Sequence, residues 1–248
     1  MKQIIVVSDS HANTSLLKDI AYKHQNADLF LHAGDSEDYE ANIYPFVSVI
    51  GYSHDDWTLW DKRVYSLHGD RRFAPRREDV LAANKLAAAI LFCCQGRIFM
   101  LSGEDFGRSK LGIRNSYRSP RRINRLDWKR ASKFRELTEY YRGLIALRKR
   151  LPGLCDKSEQ ARVRLMEIVS PMRGAGAIRL DNRGKGTKYS ELMILINTAD
   201  APCALALPQG NWDVLVDGRS SFLWKRPASV FGEAEAAPKT ALVLGLRA

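Results

Sequence analysis

The residue pattern changes at Cys155, and that change restricts the folds open to this chain. Before it, apolar runs alternate with stretches of helical periodicity. After it, short runs of strand-forming residues are separated by turn signals, a combination that predicts a strand–helix part followed by a small antiparallel β-domain. The predicted strands are Gly176 to Leu180, Leu192 to Asn197, Cys203 to Leu207, Trp212 to Val216 and Ala241 to Leu244. Asp181-Asn182-Arg183-Gly184, Pro208-Gln209-Gly210 and Asp217-Gly218 supply turns between them.

The strand–helix part opens with Gln3 to Ser8, a β-branched run without alternation, as in a strand covered on both faces. Asn13 is a good helix cap, and Leu16, Leu17, Ile20 and Ala21 form one apolar stripe of a helix reaching about His24. Asp28 to His32 is a second strand and Phe46 to Ile50 a third, so a right-handed crossover and parallel pairing are expected. Further on, Leu81 to Cys94 fits a buried helix and Arg97 to Ser102 a strand. Lys133 to Arg150 fits an amphipathic helix with Phe134, Leu137, Tyr141, Leu144 and Ile145 on one face, stopped by Pro152-Gly153.

The composition is that of a globular protein, with 45% apolar and 27% charged residues. No signal-peptide pattern follows Met1-Lys2, and the longest apolar run, Leu86 to Cys94, is shorter than the ~20 residues a membrane span needs. Cys93, Cys94, Cys155 and Cys203 lack metal-type pair spacing and read as buried reduced thiols, which places the chain in the cytoplasm with no membrane partner. The net charge of +11 is concentrated between Arg108 and Arg150, where the acids are Asp127, Glu136 and Glu139 alone. Such a run could meet phosphate backbones, but no nucleic-acid-binding signature accompanies it, so a solvated surface is the expectation.

Asp9, His11 and Asp35 follow the first two strands at what should be the same end of a parallel sheet. Two carboxylates and an imidazole there suit Mn²⁺ or another divalent metal, and two such metals could clamp a phosphate. Through VVSDSH (Val6 to His11) and HAGD (His32 to Asp35), residues 1–51 resemble the start of a calcineurin-like metallophosphoesterase. The resemblance implies that Asp9, His11 and Asp35 are metal ligands. It also implies an incomplete site, because Gly51-Tyr52 stands where that family has a metal-binding Gly-Asn and no Gly-His-x-His follows.

From Tyr52 onward the chain resembles the carboxyl-terminal part of a type I pullulanase of the α-amylase superfamily. The motifs are SHDDWTLWDK (Ser53 to Lys62), NKLAAAILFCCQG (Asn84 to Gly96), SGEDFGRSK (Ser102 to Lys110), NSYRSP (Asn115 to Pro120), LDW (Leu126 to Trp128) and EYYRGLIALRK (Glu139 to Lys149). This resemblance implies that Asp55 is a transition-state stabiliser and that His54, Asn115 and Tyr117 contact substrate. It implies an α-glucan such as pullulan or a branched maltooligosaccharide, and no cofactor. The expected architecture is α/β: a partial parallel sheet with flanking helices, like an incomplete (β/α)₈ barrel, then a carboxyl-terminal antiparallel β-sandwich. The expected parts are 1–51, 52–155 and 156–248. Exposed sheet edges in such a composite favour self-association.

A retaining glycosidase needs a nucleophile and an acid/base about 5 Å apart. In the α-amylase superfamily both precede the His-Asp motif, where this chain carries residues 1–51 instead, and the family gives Glu104 and Asp105 no such role. Hydrolysis is therefore expected to be impaired in a composite, truncated chain, with a metal-dependent phosphodiesterase in the amino-terminal part or a non-catalytic glucan-binding module as the alternatives.

Overall fold

The computed structural model describes residues 4–7, 23, 29–32, 57–69, 71–95, 98, 100–156 and 158–248. The chain divides into two compact units. One comprises Met1–Pro75, Phe99–Glu104 and Arg108–Asp127, the other Arg76–Ile98, Asp105–Gly107 and Trp128–Ala248.

In the first unit, β1 (Ile4–Val7) pairs parallel with β2 (Leu29–His32) from Ile4 opposite Leu29 to Val7 opposite His32, so the two strands end together. The parallel arrangement expected for the amino-terminal strands is present in this pair. The third strand, expected at Phe46 to Ile50, lies outside the described residues. Helix α1 (Leu59–His68) starts where Thr58, in extended conformation, accepts a hydrogen bond from Asp61 N at 3.3 Å. It ends where Gly69 adopts a left-handed φ of 63° and its N–H bonds Tyr65 O.

The second unit carries α2 (Glu78–Cys93) and α5 (Arg135–Arg148), which lie against each other. Phe92 and Tyr141 meet edge to face at 5.8 Å. Glu136 accepts from both Lys85 and Arg76. The buried Arg148 guanidinium donates to Phe92 O, Cys94 O and Leu154 O, tying the end of α2 to the short helix α6 (Pro152–Cys155). Between them in the chain lie two more short helices, α3 (Arg121–Asn124) in the first unit and α4 (Trp128–Lys133) in the second. On α5 the buried face is Leu137, Tyr140, Tyr141, Leu144 and Leu147, whereas Ile145, expected inside, is 37% exposed. The 3.6-residue period has room for one stripe, and Tyr140 with Leu147 takes the place that Ile145 would have filled.

The rest of this unit is antiparallel sheet. Strands β3 (Leu165–Met172), β4 (Ala175–Asp181), β5 (Tyr189–Asn197), β7 (Trp212–Val216), β8 (Ser229–Val230) and β10 (Thr240–Arg247) form one sheet in the order β3-β4-β5-β10-β7-β8. Strands β6 (Cys203–Ala206) and β9 (Glu233–Ala236) form a second, with Cys203 opposite Ala236. Between the sheets lie Ala175, Ala177, Met193, Leu195, Cys203, Leu205, Trp212, Ala234, Ala236, Leu242 and Leu244. This is the expected sandwich. The alternate residues Leu192, Ile194 and Val243 are also buried, and α2 lies against β10.

The major sheet is thus antiparallel, which corrects the expectation of a barrel-like parallel sheet. The strand expected at Arg97 to Ser102 is not formed at the described Ile98, Met100 and Leu101, and Ser102-Gly103 make a turn. A strand needs a hydrogen-bonded neighbour, and none of the described strands pairs with this segment. Three of the four thiols, Cys93, Cys94 and Cys155, are half-buried rather than fully buried.

Candidate functional site

Of the residues singled out in the sequence, Asp9, His11, Asp35, His54 and Asp55 lie outside the described residues. The described chain resumes at Trp57, two positions after Asp55, and the surroundings of that point can be built from α1 outward.

Trp57 packs edge-on against Tyr65 at 5.2 Å and Phe73 at 6.0 Å. The Arg114 guanidinium lies 5.3 Å over its ring, next in sequence to Asn115. Trp60 is fully buried and donates its indole N–H to Phe73 O at 2.8 Å. Two buried carboxyls complete the anchorage. Asp61 Oδ2 accepts from Lys110 N at 2.9 Å and Gly112 N at 3.0 Å, and Glu104 Oε1 accepts from Leu59 N at 3.1 Å. Glu104 thereby satisfies an amide that the first turn of α1 leaves without a helical partner.

Both carboxyls are under electrostatic load. Burial pushes Glu104 up to about 8; Leu59 N–H, Lys62 and Arg108 oppose the shift, and Asp61 adds to it. Burial also raises Asp61, opposed by hydrogen bonds from Ser109, Gly112, Lys110 and Thr58. Among the described residues, buried Asp61 Oδ1 and Glu104 Oε2 have no hydrogen-bond partner. The sequence assigns Asp61 no role, and the family resemblance gives Glu104 none. Neither motif carries a signal that would single them out: SHDDWTLWDK and SGEDFGRSK are mixed polar and apolar segments, and the burial of the two acids is set by the fold.

The loop held by Asp61 approaches Phe73 so closely that a Cβ on Gly112, whose φ is +71°, would lie 2.5 Å from the ring. It continues into a single 3-10 turn at Ser116–Arg118 and then α3. Asn124 Nδ2 donates to Ser116 O at 2.6 Å, and Arg108 donates to Asn124 O at 2.8 Å and Ser102 O at 3.0 Å. Asn115 is exposed with a left-handed φ of 40° at the start of the turn. Tyr117 is 61% exposed, with the Arg118 guanidinium 5.1 Å over its ring. Asn115 and Tyr117 therefore present an amide and a phenol to solvent on a braced loop, as sugar-contacting groups require.

Among the described residues no group of three His, Cys, Asp or Glu side chains could hold a metal ion, and no helix is long and apolar enough to cross a membrane.

No protein-family model matches the chain. Over 156 residues, 63% of its length, it is 33% identical to the pullulanase of Bacillus subtilis, of which this covers 21%. It is 28% identical over 148 residues to the glycogen debranching enzyme of Yersinia enterocolitica, again covering 21% of that protein. Among solved structures, the pullulanase from Bacillus acidopullulyticus superposes on 83% of the chain with a TM-score of 0.70 and 26% identity, using 25% of its own chain. The type I pullulanase of Bacillus subtilis complexed with maltose gives a TM-score of 0.69 at 28% identity, over 80% of this chain and 27% of that one. A Paenibacillus barengoltzii pullulanase variant complexed with maltotriose gives 0.67 at 30% identity, over 81% and 30%. The chain spans about a fifth of the length of the curated relatives it matches. In sequence and in structure it is homologous to the carboxyl-terminal part of pullulanases.

Proposed function

We propose that this chain is a glycoside-hydrolase-related α-glucan protein that binds pullulan-type or branched maltooligosaccharides around His54, Asp55, Asn115 and Tyr117. The observation that carries this reading is the brace between the two motif segments: Trp57, just after His54-Asp55, is stacked under Arg114, just before Asn115. It agrees with likeness to pullulanases whose structures hold maltose and maltotriose.

On this reading His54 hydrogen-bonds a sugar hydroxyl and the Asp55 carboxylate stabilises positive charge developing at the anomeric carbon. No cofactor takes part. Asp55 cannot also act as nucleophile and acid/base, two carboxyls that must flank the scissile bond about 5 Å apart. The 248 residues therefore bind glucan and hydrolyse it poorly. The test is stabilisation of the folded chain by a branched maltooligosaccharide. Efficient release of reducing sugar from pullulan, lost in Asp55→Ala, would overturn the claim of impaired hydrolysis.

A second reading concerns residues 1–51, as a fragment of a metal-dependent phosphodiesterase. The in-register parallel pairing of β1 and β2, which end together at Val7 and His32, favours it. Asp9, His11 and Asp35 follow those ends in sequence, and their donor types suit Mn²⁺, which would supply charge neutralisation at a phosphate. Mn²⁺-dependent cleavage of a nitrophenyl phosphodiester that survived Asp35→Asn would contradict this assignment.

A further inference from the structure

The loop that carries Asn115 and Tyr117 has an unusual charge. From Phe106 to Leu126 there is no Asp or Glu, while Arg108, Lys110, Arg114, Arg118, Arg121, Arg122 and Arg125 are all cationic. Arg114, Arg118, Arg121, Arg122 and Arg125 are exposed, and none of these five is in an ion pair among the described residues. Their spacing is fixed by the fold. Buried Ile123 anchors α3, and the Asn124–Ser116 hydrogen bond closes α3 back onto the Ser116–Arg118 turn. Arg118 thus lies on the Ser116–Arg118 turn with its guanidinium over the exposed Tyr117 ring, Arg121 and Arg122 lie on the helix bonded to that turn, and Arg114 and Arg125 flank the pair.

Five like charges held together repel one another, and a neutral sugar offers nothing to offset that. A phosphate does. Guanidinium presents a planar fork of donors that meets phosphate oxygens in pairs, and the positions are arginine rather than lysine throughout. Resting on the glucan reading above, we propose that this loop recognises phosphate monoesters carried on the α-glucan, with Arg118, Arg121, Arg122 and Arg125 as the recognition surface.

The experiment compares binding of the 248-residue chain to phosphate-bearing amylopectin and to the same preparation after phosphatase treatment. A single-stranded oligonucleotide serves as a third probe. The expected result is binding to both glucans, about tenfold tighter to the phosphorylated one, the size of one or two charge-assisted hydrogen bonds. The difference should vanish in Arg118→Ser/Arg121→Ser/Arg122→Ser/Arg125→Ser, and fall steeply above ~0.5 M salt, where screening is short-ranged. These four side chains are on the surface, and an unchanged circular dichroism spectrum confirms that the variant is folded. Equal binding of both glucans overturns the phosphate inference and leaves the glucan reading standing. Binding of neither glucan defeats both. Tight binding of the oligonucleotide alone, lost in the same variant, identifies the surface as a nucleic-acid site and overturns the proposal.

Discussion

Glu104 is the residue whose protonation bears most directly on the braced segment. With its carboxyl lifted to about 8 by burial, it stays protonated in the folded state across a range where the unfolded chain has already lost the proton, above about pH 4.3. Between those values the folded state binds more protons, so this group's contribution to stability falls as pH rises and levels off above pH 8. Asp156 and Asp181 act in the opposite sense and elsewhere. Hydrogen bonds from Ser158 and Arg164 to Asp156, and from Arg183 to Asp181, hold each at about 2, so their effect is confined to acid. Thermal melts from pH 5 to 8 should show a falling midpoint in the wild type and a flatter one in Glu104→Gln, which imitates the neutral carboxyl. Parallel slopes would mean that Glu104 does not carry the effect. None of this was legible in the sequence, because desolvation depends on what covers a carboxyl and not on its neighbours in the chain. Asn115 and Tyr117 fared differently. The motif located them, and the structure leaves both exposed on a hydrogen-bonded loop.

At the scale of elements, the parts with strong periodicity were the legible ones. Helices α2 and α5 and strands β4, β5, β6, β7 and β10 lie within a few residues of their predicted limits. Strands β3 and β9 are not legible in the sequence, for different reasons. The outward-facing Ile168 of β3 is 70% exposed and so spoils the apolar alternation, while the inward residues of β9 are only Ala234 and Ala236. The strand expected at Arg97 to Ser102 is not formed at its described residues, where apolar composition finds no pairing partner among the described strands. Contact between elements is sharpest where α5 meets the turn after β7. Ser221 Oγ donates to Tyr140 O at 2.6 Å, and Tyr140 OH donates to Asp217 O at 2.8 Å. A Cβ on Gly143 would fall 2.0 Å from Ser221 Oγ. Gly-to-Ala ordinarily stabilises a helix by up to ~1 kcal/mol. Here Gly143→Ala should instead destabilise by about 1–3 kcal/mol through overpacking, lowering the unfolding midpoint by several degrees. A raised midpoint would show that Ser221 can move aside at little cost.

For the whole molecule, the resemblance to pullulanases from Tyr52 onward agrees with the sequence and structural comparisons, and the carboxyl-terminal sandwich is present. The barrel-like parallel sheet is not, since the six-stranded sheet is antiparallel, and the described parallel pairing is confined to β1 and β2. A motif reports ancestry, whereas a sheet forms only from strands that find partners within the chain. The same distinction separates binding from catalysis. Loop residues that contact sugar can act from a braced surface, but glycoside hydrolysis needs two further carboxyls placed across the bond. Thermal unfolding of the 248-residue chain with and without a branched maltooligosaccharide tests the glucan reading most directly. A ligand that binds only the folded state raises the midpoint, by an amount that grows with its concentration. The account predicts such a rise in the wild type and its reduction in Asp55→Ala and Tyr117→Ala; a midpoint unmoved at saturating glucan would contradict it.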